Sequence, residues 1–371
     1  MRETLTPFML ERLHRRALNK QARKLPQTTW DFDFSSNDYL SFAKNPQLRS
    51  SILQEVQNVS HLGATGSRLL TGNMSLAEDV ETYMAEYFGF SKALIFPSGF
   101  SLNCGFLACI GGEEDSIIID ENAHACWKNG LKLSPSRGYF FRHNDLNQLE
   151  SRLKKESEKK RQIFVVVESL YSMDGDCPDF PALLDLCHQY EARLIVDEAH
   201  AGGSMGSRGR GLVDNFNAQD RVFANVITFG KAYGYHGAVL LGSKALIEYV
   251  VNFCHSFIYT TGLSSFSLIA MRESLKCFES DPAPFNKLRK NISLFNHSLG
   301  MQWETPIYYF PFKDISKLQE AASSLQSKGF GILPIYSPTV RKGFEGLRVS
   351  LHAHNTESEI ISCAKELKEF F

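Results

Sequence analysis

The sequence predicts an α/β fold: a mostly parallel mixed sheet covered on both faces, followed by a smaller α+β unit. Two observations predict it. Between about residues 75 and 241, short apolar runs alternate with helical patterns, and near-continuous apolar strands are the mark of a sheet buried on both faces. After about residue 260 that alternation stops and a different mixture of helices and strands begins. A chain of 371 residues has room for both parts and for a core that needs no disulfide or structural metal.

Residues 1–30 are basic and read as a helix with Met9, Leu10, Leu13 and Ala17 along one stripe and Pro26 ending it. Its Arg12, Arg15, Arg16, Lys20, Arg23 and Lys24 make either a solvated face or one that meets an anion. Ser75-Leu76-Ala77-Glu78 has the pattern of a capping box opening a helix with Val80, Met84, Tyr87 and Phe88 on its apolar side. Strands are expected over 93–96, 116–119, 163–167, 193–196, 225–228 and 238–241, with helices near 100–110, 145–160 and 180–190. The C-terminal part reads as a helix near 264–279, a turn at Asp281-Pro282-Ala283-Pro284 and another helix. A strand over 308–312, a helix near 314–328, strands over 330–335 and 346–351 and an amphipathic helix near 356–370 complete it. The expected divisions are 1–45 (N-terminal helix and short strand segment), 46–260 (large α/β domain) and 261–371 (small α+β domain).

Composition excludes several classes. Lys+Arg total 40 and Asp+Glu 41, a net charge of −1, so the basic surplus that nucleic-acid binding requires is missing. No apolar run reaches the roughly 18 residues of a membrane span, and the N-terminal segment lacks a signal-peptide pattern. The eight cysteines include no CxxC pair, which fits reduced thiols in a cytoplasmic protein rather than a disulfide framework or a zinc site.

The chemistry begins at Thr228-Phe229-Gly230-Lys231-Ala232. A lysine directly after a buried strand is either a surface residue opening a loop or a desolvated amine of lowered pKa, able to bond an aldehyde. Asp197 in Val196-Asp197-Glu198-Ala199-His200 ends another strand, where ligands gather in parallel sheets. A carboxylate there is either a helix cap or the partner of a protonated pyridine nitrogen. His200 is either a loop histidine or part of the same site. The turn Pro97-Ser98-Gly99-Phe100 runs from a strand into a helix, whose free N–H groups and dipole suit a phosphate. His124 follows the strand over 116–119 and could stack on a flat ring.

These pieces, with Asp33-Phe34-Ser35-Ser36-Asn37-Asp38-Tyr39-Leu40 and Ser172-Met173-Asp174-Gly175-Asp176, resemble the α-oxoamine synthases across residues 30–355. The family is made of pyridoxal 5′-phosphate (PLP)-dependent transferases of fold type I, the aspartate aminotransferase-like fold. The resemblance implies a decarboxylative condensation of an amino acid with an acyl thioester. Within the family, Gly237–Leu241, Phe257–Thr261 and Ser337–Val340 leading to Leu347-Arg348 are most similar to members that join L-alanine to a pimeloyl thioester for biotin biosynthesis. The alternatives are a relative using glycine or serine, an aminotransferase and a non-catalytic homologue.

By that resemblance Lys231, His124, Asp197 and His200 carry catalysis. Lys231 bonds PLP, Gly99 and Phe100 hold the phosphate, His124 stacks on the ring and Asp197 faces its nitrogen. Ser172 and His200 lie near its phenolic oxygen, and Thr228 is a phosphate or lysine-loop contact. Thr260 and Thr261 reach the phosphate of a neighbouring subunit, which implies a homodimer with shared sites. Asn37 and Arg348 hold the amino-acid carboxylate, Thr339 lies near the substrate and Arg23 meets the acyl donor, whose thiol is coenzyme A or an acyl carrier protein. No metal is implied. The chain departs from the family at Met74-Ser75, where histidine is common, at Ser264-Ser265 and Arg341, where proline is, and at the bulky Tyr235-His236.

Overall fold

Uninterrupted apolar runs become strands because each residue buried from water contributes about 1.5–3 kcal/mol. The computed structural model describes residues 5–18, 22, 25 and 29–371. Its strands are β1 (Phe32–Asp33), β2 (Lys92–Phe96), β3 (Ser116–Asp120), β4 (Arg137–Phe141), β5 (Ile163–Glu168), β6 (Arg193–Asp197), β7 (Ala224–Thr228), β8 (Ala238–Gly242), β9 (Ile307–Pro311), β10 (Phe330–Gly331), β11 (Leu333–Ile335) and β12 (Gly346–Ser350). Seven form the central sheet in the order β2-β8-β7-β6-β5-β3-β4. Only β8 runs against its neighbours, pairing antiparallel with β2 and β7. The C-terminal ends of β2, β3, β5, β6 and β7 therefore share one edge of the sheet.

Alternate residues serve two cores. Ile118, Val165, Val167, Val196 and Ile227 face one, while Ile117, Ile119, Phe164, Val166 and Ile195 face the other. The six strands expected between residues 93 and 241 all form, each within one residue of its expected ends. β4 had no expectation: its apolar run is only Tyr139-Phe140-Phe141, and it lies at an exposed edge of the sheet, with Arg137, Gly138 and Phe140 exposed and only Phe141 buried. A second sheet has the order β11-β12-β9, and β1 pairs in parallel with β10. Ser350 N–H donates to Phe34 O and Ala353 N–H to Tyr39 O, both at 2.8 Å, so the segment after β1 is stitched to the end of β12.

Three expectations are corrected. The capping box at Ser75 and Glu78 does not form. Met74 occupies the N-cap, Ser75 is already helical, and Glu78 instead accepts a hydrogen bond from Asn73 Nδ2 at 2.6 Å. The capping box is at Thr356 and Glu359. The stretch 330–335 is not one strand, because it divides at Ile332 between β10, beside β1, and β11, beside β12. The N-terminal helix spans Pro7–Leu18 and its stripe is not buried: Met9 and Leu13 are exposed. Lys20, Arg23, Lys24 and Pro26 lie outside the described residues. Helices at Pro46–Val56, Ala125–Leu133 and Lys244–Phe253 had no expectation. The first begins at a cap, Asn45 Oδ1 accepting from Leu48 N–H at 2.9 Å, with Pro46 in its first turn.

Glu198, next to Asp197, is structural. It is fully buried; Oε1 accepts from the N–H groups of Leu212 (2.6 Å) and Val213 (3.2 Å), and Oε2 from Asn225 Nδ2 (2.9 Å). Burial pushes its carboxyl up to about 7, against these hydrogen bonds. Glu198→Ala strands three buried donors and is expected to cost about 3 kcal/mol in urea unfolding. Glu198→Gln keeps acceptors in place and is expected to cost clearly less.

Candidate active site

Helix Gly99–Cys109 starts directly after β2 and Ser98 caps it, its Oγ accepting from Ser101 N–H at 3.1 Å. Leu102 N–H donates to Ser98 O. That leaves the Gly99 and Phe100 N–H groups without an acceptor among the described residues, at the positive end of the helix dipole. A Cβ at residue 99 would come within 2.7 Å of Thr228 Cγ2, so the approach of this turn to the end of β7 requires glycine. This cradle fits a phosphate.

Asp197 and Glu168 end adjacent strands in register. Asp197 reaches the helices Gly99–Cys109 and Ala125–Leu133, Glu168 reaches the N-cap of the second, and both are buried. Asp197 Oδ2 accepts from Asn103 Nδ2 and Trp127 Nε1, each at 2.8 Å, and Oδ1 from Ala199 N–H at 3.0 Å. Those three donors hold a carboxylate with acceptor capacity left over, as a pyridinium partner requires. Asp197 therefore caps no helix; Ala199 to Ser204 is a run of turns. Glu168 Oε1 accepts from His124 N–H at 2.6 Å. Burial and the adjacent Asp197 charge push the Glu168 carboxyl up.

His124 is the N-cap of helix Ala125–Leu133. Its Nδ1 accepts from Cys126 N–H at 3.3 Å and lies 2.8 Å from Cys126 Sγ, whose proton burial retains. Burial lowers the histidine's own pKa, so the imidazole is neutral. Lys231 is partly buried, and its Nζ donates to Thr228 Oγ1 at 3.2 Å. Burial lowers its pKa and outweighs the attraction of Asp197 and Glu168. An amine so placed spends more of its time as free base, which is the nucleophilic and basic form.

Arg348 on β12 meets Asn37 through the stitching described above. Its Nη2 donates to Asn37 Oδ1 (2.9 Å) and Tyr39 OH (3.4 Å), Nε to Ser172 O (2.7 Å) and Nη1 to Ser350 Oγ (2.8 Å). His200 Nδ1 lies 2.7 Å from the same Tyr39 hydroxyl. Tyr39 thus links His200 to the Asn37–Arg348 pair. Burial holds its phenol up at about 12 and pushes His200 well down, so both are neutral.

A cleft of about 920 Å³ is lined by His124, Ser172, Thr339, Tyr309, Phe344 and Arg341 among others, which brings three of the expected residues to one opening. Thr260 and Thr261 line a different pocket with Arg68 and Met74 and do not reach the cleft within this chain. Arg23 lies outside the described residues. Two departures from the family meet: Ser265 Oγ, which donates to His61 O at 2.7 Å, lies 3.6 Å from Met74 Sδ, while Ser264 caps the helix Ser265–Ser280. Tyr235 stacks on His236, and its hydroxyl lies 3.3 Å from Ser267 Oγ.

Tyr39, Asn103, Trp127 and Glu168 had no expectation. Tyr39 stood inside the Ser35-Ser36-Asn37-Asp38-Tyr39 motif, but nothing local announces that a tryptophan or asparagine will turn its N–H to a carboxylate 70 or 94 positions away. Glu168 follows an unbroken apolar run, as Asp197 does, and that was its signal.

Residues 31–367 match the family model for class I and II aminotransferases. An 8-amino-7-oxononanoate synthase of Fervidobacterium nodosum is 31% identical over 360 residues, covering 92% of this chain and 91% of that protein. Among solved structures, an 8-amino-7-oxononanoate synthase of Francisella tularensis superposes with a TM-score of 0.75 at 26% identity, covering 91% of this chain and 98% of that one. A serine palmitoyltransferase of S. paucimobilis with PLP–myriocin bound superposes with a TM-score of 0.88 at 20% identity, covering 98% and 96%.

Proposed function

The chain belongs to the class I and II aminotransferase family and, within it, to the PLP-dependent α-oxoamine synthases, and on that premise we propose that it condenses L-alanine with a pimeloyl thioester to give 8-amino-7-oxononanoate. Relatives bearing that product's name belong to biotin biosynthesis, which supports the choice of substrates. The observation that carries the proposal is the meeting, at one sheet edge, of the Lys231 amine, the Asp197 carboxylate and the unpaired N–H groups of Gly99 and Phe100.

PLP, when bound, supplies an aldehyde that captures amines and a ring that accepts electrons. The rest is the work of side chains. Gly99 and Phe100 N–H groups would donate to its phosphate, and Thr228 supports both that turn and Lys231. Asp197, its orientation fixed by Asn103 and Trp127, would hold a proton on the ring nitrogen. The neutral His124 ring would cover one face, and Ser172 and His200 would lie near the phenolic oxygen. Arg348, with Asn37, offers its planar fork to the carboxylate of alanine. Lys231 Nζ then takes the α-proton and later returns a proton to the product carbon. The acyl donor enters the cleft past Thr339, and its thiol leaves as coenzyme A or a carrier protein thiol. We assign Arg23 to that donor, and Thr260 and Thr261 to the phosphate of a second copy in a cytoplasmic homodimer divided into domains 1–45, 46–260 and 261–371. No helix among the described residues is long and apolar enough to cross a membrane.

The test is mass spectrometry of products from alanine, glycine and serine, each with a panel of coenzyme A and carrier-protein thioesters. The 8-amino-7-oxononanoate mass from alanine plus pimeloyl donor, with loss of carbon dioxide, is expected. A preference for glycine or serine replaces the substrate assignment, and amino transfer without decarboxylation overturns the reaction.

A further inference from the structure

His143, which the chemistry above does not use, sits two residues beyond β4 between two acids. Its Nδ1 is 3.0 Å from Asp120 Oδ1 and its Nε2 is 2.9 Å from Asp176 Oδ2. A carboxylate only accepts, so both ring nitrogens must donate and the ring must be an imidazolium. Burial opposes that charge, but the hydrogen bonds to Asp120 and Asp176 prevail and hold His143 up at about 10. The other groups facing it are Asp174 at 3.9 Å from Nε2, Glu121 accepting its backbone N–H, and the Tyr171 ring, edge-on at 4.4 Å. Lys128 reaches the same loop, donating to Glu121 O.

The two acids belong to the two loops that frame the cleft. Asp120 ends β3 and leads, through Asn122, to His124; its Oδ1 accepts from Asn122 N–H (2.8 Å) and its Oδ2 from Asn144 N–H (2.9 Å). Asp176 closes the turn that starts at Ser172, and its Oδ2 also accepts from Asn144 Nδ2 at 2.8 Å. Asn122 Nδ2 adds a direct tie to Asp174 at 2.8 Å. Tyr171 N–H donates to Asp176 O, so a shift of Asp176 moves Ser172 with it.

We propose that the His143 imidazolium is a positioning residue: it locks the His124 loop to the Ser172 turn and so sets the spacing of these two side chains across the cofactor ring. This rests on the reading that PLP sits between them. A displacement of about 1 Å at such contacts costs up to about 100-fold.

The experiment uses the full-length holoprotein with ¹⁵N-labelled histidine, together with His143→Gln and Asp176→Asn. In the wild type, the resonance missing from His143→Gln is expected to show both ring nitrogens protonated at neutral pH and to titrate near 10. His143→Gln is expected to keep the wild-type circular dichroism, bind PLP about 10-fold more weakly and lose kcat more than KM. In Asp176→Asn, His143 should titrate closer to 6.5, and kcat/KM should acquire an alkaline loss through that value that the wild type lacks. A wild-type His143 titrating in the ordinary histidine range overturns the proposal. So does a His143→Gln protein with unchanged PLP affinity, even where the bridge is seen. A wild type that takes up no PLP at all would instead fell the reading of the site, and this role with it.

Discussion

Lys231→Ala is expected to fold normally and to lose at least about 10⁴-fold in turnover, because it removes the nucleophile and the base together. Stability should be unchanged or slightly raised. The ammonium is desolvated and its hydrogen bond to Thr228 Oγ1 is long at 3.2 Å, and this burial cost outweighs the attraction to Asp197 and Glu168 that the deletion removes. The measurement is borohydride reduction followed by peptide mapping. Wild type should carry a pyridoxyl group on the peptide containing residue 231, with loss of the yellow colour, whereas the variant should carry none. An active Lys231→Ala protein would remove the enzymatic reading altogether.

That lysine shows how far a sequence can be read and where it stops. Its position after the expected strand Asn225–Thr228 placed it near a strand's end, and the same logic placed Asp197 after Arg193–Val196. The C-terminal ends of parallel strands share an edge, so the two met in the structure as strand periodicity implied. Gly99 was legible for a similar reason, since it stands where a strand gives way to a helix whose free N–H groups and dipole suit a phosphate. Arg348 and Asn37 are 311 positions apart and carried no periodic signal of their own. Only the resemblance paired them; the physical cause, backbone hydrogen bonds from 350 and 353 to 34 and 39, is tertiary. Trp127 and Asn103 were illegible because a buried side chain's hydrogen-bond partner depends on packing and not on its own segment. The capping box at Ser75 was misread for the opposite reason. The local pattern was present, but Asn73 reached Glu78 first and the helix began one residue early.

Asp197→Asn is the second large effect, an expected loss of about 10²–10⁴-fold in kcat with the fold retained. The substitution is isosteric but not isoelectronic. Whichever way the amide turns, its NH₂ faces a donor, either Ala199 N–H or the pair from Asn103 and Trp127. Turning the oxygen toward the pair leaves only one such clash and costs about 1–3 kcal/mol. The change in charge spreads further. Asp197 raises Lys231, so without it Lys231 falls further and its free-base fraction grows; loss of activity cannot then be blamed on a protonated lysine. Asp197 also raises Glu168, so in the variant Glu168 moves down toward the ordinary carboxylate range and ionises at lower pH than before. The site thus regains part of its negative charge from the neighbouring strand end as pH rises. Residual kcat of Asp197→Asn should therefore climb with pH along a Glu168 titration, and the climb should vanish in Asp197→Asn/Glu168→Gln. A flat profile in the single variant would mean that the two buried carboxylates do not act on the same proton, and that Glu168 serves only to hold the His124 backbone.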